Sequence, residues 1–204
     1  MPVNSGIPMV LSTFHSASPF PLENGSILRG IDITFHTYGR LNADKSNVVW
    51  ICHALTGSSD VAAWWPGLIG QGKFFDPDRW FIICANVPGS PYGSTSPQSL
   101  NPATQRPFLR DFPPVTIRDM VRAHSLLADH LGIGNIFLLM GGSMGGSRPW
   151  NGPSKNRGAL DKWCYWPPMP SVRPGVLRLM KANGWLYWRM LPLTVSIQTA
   201  AWPA

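Results

Sequence analysis

The sequence predicts an α/β protein: a doubly wound, mostly parallel sheet whose C-terminal part is missing. Three observations carry that expectation. Short, continuously apolar runs occur at 47–52, 80–84 and 135–140, as in strands covered on both faces. One segment of helical period lies between the second and third runs, and a Gly-Ser turn closes the third.

In chain order, Ile27 to Tyr38 comes first and alternates apolar with polar residues, the period of a half-exposed strand in an antiparallel lead-in. Asn47-Val-Val-Trp-Ile-Cys52 and Trp80-Phe-Ile-Ile-Cys84 follow as buried strands, each leading into Gly-, Pro- or Ser-rich turns. The stretch from Val87 to Pro114 is rich in Pro, Gly and Ser and too long for a plain connector, which makes it a candidate functional loop. From Thr116 to Leu131, Ile117, Met120, Val121, Leu127 and Leu131 recur at helical spacing. Thr116 caps the start with Asp119 three residues on, and Gly132 ends the segment. Asn135-Ile-Phe-Leu-Leu-Met140 is the third buried strand. Strand, helix, strand is the order of a right-handed crossover in a parallel sheet.

Composition divides the chain just after Gly146. Of the 17 Lys/Arg, eight lie in 147–204 against Asp161 as the single acid there, so the formal charge of +7 belongs to the tail. Six of the ten Trp (Trp150, Trp163, Trp166, Trp185, Trp188 and Trp202) also fall in it. Cys52, Cys84 and Cys164 form no CxxC pair, which argues against a disulfide framework and a zinc site and for a reducing compartment. No basic, then apolar, leader opens the sequence and no run is long enough to span a membrane, so a cytoplasmic location is expected.

The third strand ends in Leu138-Leu-Met-Gly-Gly-Ser-Met-Gly-Gly146, which contains the G-x-S-x-G pattern of a nucleophile elbow. Gly141 and Gly145 flank a turn too sharp for neighbouring side chains. Ser143 stands exposed above the sheet, and the backbone N–H of Met144 points toward a developing oxyanion. A second donor is expected from the loop after an earlier strand, where His53-Ala-Leu-Thr-Gly57 lies. His124 and His130, six apart on the helix, face different directions and read as core or surface residues, and no metal site is expected. Cys52, Cys84, Trp64 and Trp65 read as packing residues.

Several of these stretches together resemble the homoserine O-acetyltransferases of the α/β-hydrolase superfamily: His53-Ala-Leu-Thr-Gly57, Trp64-Trp-Pro-Gly-Leu-Ile-Gly70, Gly93-Ser-Thr95, Asn101-Pro102, Phe112-Pro-Pro-Val-Thr-Ile-Arg-Asp-Met120 and Gly141-Gly-Ser-Met-Gly-Gly146. The resemblance covers about residues 14 to 146. It implies a ping-pong acyltransferase of methionine biosynthesis, in which Ser143 takes the acetyl group from acetyl-CoA and passes it to the side-chain hydroxyl of L-homoserine. It also implies an oxyanion hole from the N–H groups of Leu55 and Met144, a substrate contact at Thr56, no cofactor beyond the co-substrate, and a homodimer in intact relatives. Homoserine O-succinyltransferase and a serine esterase are alternatives within the fold. One departure bears on donor choice: the family has Leu, then Cys or Thr, where this chain has Pro88 and Pro91.

The partners that such a serine needs, an acid and then a His, should follow it in the chain, yet no His lies beyond His130. Ser147-Arg-Pro-Trp-Asn-Gly-Pro153 replaces the expected helix with proline-broken sequence. Reading each tail codon one base earlier permits Gln-Ala-Leu-Glu-Trp-Ala-Ile from Arg148 to Ser154. Cys164 to Pro167 can then yield only Val-Leu-Leu-Ala, a buried strand, and the codon of Lys181 is forced to Glu. The chain therefore reads as residues 1–146 from the front of an acyltransferase domain, followed by 147–204, a frameshifted tail without a native fold. The 204-residue polypeptide is accordingly expected to lack acetyl transfer. A basic, Trp-rich tail is also the composition of a nucleic-acid or membrane-surface module, but it shows no sustained amphipathic period, so neither partner is expected.

Overall fold

The computed structural model describes residues 9–145 fully and, beyond them, only the backbone of three strands within 163–191. The expectation that 147–204 lacks a native fold therefore falls mostly outside the described residues. The elements in chain order are β1 (Met9–Ser16), β2 (Phe20–Pro21), β3 (Ile27–Leu28), β4 (Ile31–Tyr38), β5 (Val48–Cys52), α1 (Val61–Trp64) and β6 (Phe81–Ala85). They continue with β7 (Leu100–Asn101), β8 (Arg106–Pro107), α2 (Ile117–His130), β9 (Leu138–Gly142), β10 (Trp163–Trp166), β11 (Val176–Ala182) and β12 (Trp185–Leu191).

Six strands form one sheet in the order β1-β4-β6-β5-β9-β10. β5 runs parallel to both β6 and β9, and β9 parallel to β10, while β4 is antiparallel to β1 and β6. The expected antiparallel lead-in is present, with one correction. Ile27–Tyr38 is not one strand: it breaks after Leu28, and the front piece pairs with β2 as a separate hairpin.

The continuous apolar runs follow from burial on two faces. Along β5, Trp50 and Cys52 join a cluster with Ile83, Leu139 and the α2 residues Ala123, Leu127 and Ala128. Val49 and Ile51 point the other way, into a cluster with Ile82, Met140, Val61 of α1, Ile69 and Phe75. Each fully buried aliphatic side chain, such as Leu127, contributes on the order of 2 kcal/mol. The connection from β5 to β6 thus covers one face, and the connection from β6 to β9, carrying α2, covers the other. The chain leaves β5 toward β6 and returns on β5's opposite side as β9. That reversal of strand order leaves a crevice at the C-terminal ends of β5 and β9.

The helix forms where its caps and period place it. Thr116 accepts a hydrogen bond from the Asp119 N–H, and the Asp119 carboxylate accepts one from the Thr116 N–H at 3.1 Å. At the other end Lys45 Nζ donates to the carbonyls of Gly132 (2.7 Å) and Leu131 (3.3 Å), placing a cation at the negative end of the helix. The third strand starts at Leu138 rather than Asn135. Phe137 stacks on Trp80 with ring centroids 4.5 Å apart, and only beyond it does the ladder with β5 begin.

No helix among the described residues is long and apolar enough to cross a membrane. Among the same residues no group of three or more His, Cys, Asp or Glu could hold a metal ion.

Candidate active site

In the ladder of β5 and β9, Cys52 stands opposite Gly141, so the turns leaving these strands emerge side by side. Ser143 sits on the turn after β9, exposed, with φ of +54°. A left-handed backbone at a residue with a Cβ is strained, and strain of this kind is what a sharp strand-to-helix turn imposes on the residue it displays. Ser143 to Gly145 form a single tight 3-10 turn. A side chain at Gly145 would collide with the carbonyl oxygen of Cys52, the last residue of β5, and would come within 2.8 Å of the His53 carbonyl. The elbow therefore lies directly against the end of β5, where the loop carrying Leu55 and Thr56 begins. Both of those residues are exposed, and Met144 is half-buried.

The structure thus brings the loops bearing Ser143, Met144, Leu55 and Thr56 to one end of the sheet, at the crevice. Gly141 is buried in the last part of β9.

What holds this end together is not legible in the local sequence. His53 is fully buried; its Nδ1 donates to the Ala54 carbonyl at 2.7 Å, and its Nε2 accepts from the Val87 N–H at 3.3 Å. A carbonyl cannot donate and an amide N–H cannot accept, so His53 is the neutral tautomer protonated on Nδ1. With Nε2 committed to Val87, it is a structural histidine rather than a base for Ser143. Asn86, also buried, accepts from the Ser59 N–H at 2.7 Å and donates to Ser59 Oγ (2.9 Å) and to the Tyr92 carbonyl (2.7 Å). Ser59 Oγ in turn meets His36 Nδ1 at 2.8 Å. Burial lowers the pKa of His36 below its ordinary value of 6.5, against an opposing pull from Asp60. Burial likewise pushes the Tyr38 hydroxyl up, and that hydroxyl donates to Asp60 at 2.9 Å. A buried His directly after an apolar strand was the one available sequence signal for this network.

The long loop after β6 is firmly held. Val87 to Ser90 is a turn closed by the Ser90 N–H on the Val87 carbonyl at 3.0 Å, with Gly89 at φ +90°. That is the geometry in which Pro occupies the second position and Gly the third, so Pro88 fits without losing a needed N–H. Ser94 Oγ donates to the Asn86 carbonyl (2.9 Å) and accepts from the Thr34 N–H (3.0 Å), while Thr95 Oγ1 accepts from the Asp32 N–H at 2.7 Å.

His124, His130, Cys52 and Cys84 lie as expected, the Cys164 side chain falls outside the described residues, and His15 on β1 is hydrogen-bonded to Asp32. His124 is buried beside Trp50, His130 is exposed near Phe14, and Cys52 and Cys84 are buried in strands. Trp64 packs against the second core cluster and donates from Nε1 to the Ser58 carbonyl at 3.0 Å.

A nucleophile-type elbow above the switch point of a doubly wound sheet defines the class, and the α/β hydrolase fold family matches residues 47–147. Homoserine O-acetyltransferase from Chlorobaculum parvum is 53% identical over 135 residues, covering 66% of this chain and 38% of that protein. The enzyme of the same name from Nostoc punctiforme is 49% identical over 128 residues, covering 63% of this chain and 36% of that protein. Among solved structures, homoserine O-acetyltransferase from Bacillus anthracis matches with TM-score 0.67 and 30% identity, over 77% of this chain and 47% of that one. Esterase E22 matches with TM-score 0.68 and 31% identity over the same shares. Over about two thirds of its length the chain is thus similar to homoserine O-acetyltransferases, and residues 47–147 match the α/β hydrolase fold. The chain spans less than two fifths of the length of these curated relatives.

Proposed function

We propose that the chain is the front part of a homoserine O-acetyltransferase acting in methionine biosynthesis. The observation that carries this reading is the strained, exposed Ser143 on its elbow, set in a segment about half identical to enzymes of that name. In the proposed reaction Ser143 Oγ attacks the thioester carbon of acetyl-CoA as its proton passes to a base. The N–H groups of Leu55 and Met144 stabilise the oxyanion, and the thiolate of CoA leaves with a proton. The side-chain hydroxyl of L-homoserine then attacks the acetyl-serine ester, and Ser143 is released. Thr56, on the same exposed loop as Leu55, is proposed to contact substrate. The reaction needs acetyl-CoA as co-substrate and no further cofactor. A cytoplasmic enzyme that is dimeric when intact fits this role.

The base that Ser143 needs should follow it in the chain, after an acid. No His follows in the sequence. The 204-residue polypeptide is therefore proposed to be inactive, with 147–204 translated out of frame. That proposal is supported by the family match ending at residue 147, where charge and Trp content change.

Two measurements test this. Sequencing the coding DNA should find the earlier frame encoding the family's continuation; a tail whose earlier frame encodes none of it refutes the frameshift. The frame-corrected product should transfer acetyl from acetyl-CoA to L-homoserine, and the 204-residue chain should not. Esterase E22 supports a second reading, a hydrolase that releases the acyl group to water. Hydrolysis of acetyl esters without transfer to homoserine would favour it. Transfer from succinyl-CoA instead of acetyl-CoA would assign the succinyl donor.

A further inference from the structure

The loop that carries Leu55 and Thr56 is held at both ends by two consecutive residues of the strand-exit segment after β6. Its first residue, His53, accepts the Val87 N–H on Nε2; its last, Ser59, gives its N–H to Asn86 Oδ1 and receives Asn86 Nδ2 on its hydroxyl. Between the anchors, the Ala54 carbonyl accepts from the Gly57 N–H at 3.0 Å and from His53 Nδ1, while the Ser58 carbonyl accepts from Trp64 Nε1 and the Ser58 hydroxyl from the Asp60 N–H. Leu55 at the tip is 72% exposed, so packing does little to fix it.

We propose that Asn86 is a positioning residue for the Leu55 N–H, acting through Ser59. Its side-chain orientation is set unambiguously by two backbone partners: only the oxygen can accept from the Ser59 N–H, and only the nitrogen can donate to the Tyr92 carbonyl. Asn86 and Ser59 are buried, where a hydrogen bond is strong and a missing partner is costly. Because Nδ2 also reaches Tyr92, one side chain ties the 53–59 loop to the Val87–Tyr92 turn. Stiffness introduced by Pro88 and Pro91 is thereby transmitted to the loop that carries Leu55.

The inference rests on the proposed role of Leu55 for its catalytic meaning, but its test is made without substrate. A failed acyl-transfer assay and a failed clamp are therefore separate results. The experiment is residue-resolved amide hydrogen exchange on the 204-residue chain. Asn86→Leu should speed exchange at Ser59 and Gly57 by about tenfold, the loss expected for one buried hydrogen-bonded anchor. The Val87 amide, held by His53, and the amides of α2 should keep their native rates. Asn86→Asp at neutral pH keeps an acceptor for the Ser59 N–H but sets a second acceptor against the Tyr92 carbonyl. Ser59 and Gly57 should stay near native in it, while Gly89, bonded to the Thr95 carbonyl, exchanges faster. Unchanged Gly57 exchange in Asn86→Leu overturns the proposal, as does equal acceleration throughout α2. If Asn86→Leu fails to fold, Asn86→Asp decides alone: loosening of Gly57 as large as that of Gly89 overturns it.

Discussion

The carbonyl oxygen of Cys52 occupies the space that a side chain on Gly145 would need. The last residue of β5 and the last residue of the elbow are thus in backbone contact, and this contact sets how far the Ser143 turn stands from the Leu55 loop. Gly145→Ala forces the two apart. Overpacking of this kind costs about 1–3 kcal/mol, so chemical denaturation should show a loss in that range. A variant as stable as the parent would mean that the turn relaxes freely and that the contact does not position Ser143.

Ser143 carries φ of +54°, a conformation that glycine adopts without strain. Ser143→Gly should therefore stabilise the chain by about 1 kcal/mol after the added flexibility of the unfolded state is counted. Thermal unfolding should rise by roughly 2–4 °C for a domain of this size. The same substitution removes the proposed nucleophile, so a gain in stability would mark residue 143 as a place where fold and chemistry conflict. A loss of stability would show that the turn is not strained there.

Acid should weaken the fold through His36. Its folded pKa lies below its ordinary value because burial opposes charge, so the unfolded chain takes up a proton that the folded chain refuses. The contribution is fully present above about pH 6.5, the unfolded value, and is lost as pH falls from there toward the folded pKa. His36→Gln, which keeps an acceptor for Ser59 and cannot titrate, should flatten the stability profile over that window. An identical slope in both proteins would remove His36 from the account.

Pro88 occupies the second position of the Val87–Ser90 turn, where its fixed φ suits the geometry. Pro88→Leu should lower stability by about 0.4–1 kcal/mol, chiefly through the unfolded chain. A larger loss would indicate a specific ring contact, and no loss would mean that the turn is preset by Gly89 alone.

Much of this fold is legible from local pattern. The helix at Thr116–Leu131 announces itself twice, through period and through the reciprocal Thr116 and Asp119 caps, and the structure agrees with it to within a residue. The buried strands are legible because both faces are covered. β1 is not, since as an edge strand it leaves Met9, Val10 and Leu11 largely exposed, so its burial never generated a pattern. α1 is a single turn, too short to show a period. Ser143, Gly141 and Gly145 are readable because the elbow is contiguous. Asn86 and Ser59 are not: they lie 27 residues apart, their types are common in loops, and only the parallel pairing of β5 with β6 brings their ends together.

The strain at Ser143 also bears on the history of the gene. A backbone held against its preference is a standing penalty, and glycine, one base change from the serine codons AGC and AGT, would relieve it. Gly145, Asn86 and the buried His53 are likewise all in place. If the tail is out of frame, chemistry no longer holds residue 143 as serine, and drift is free to trade it for the glycine that the turn prefers.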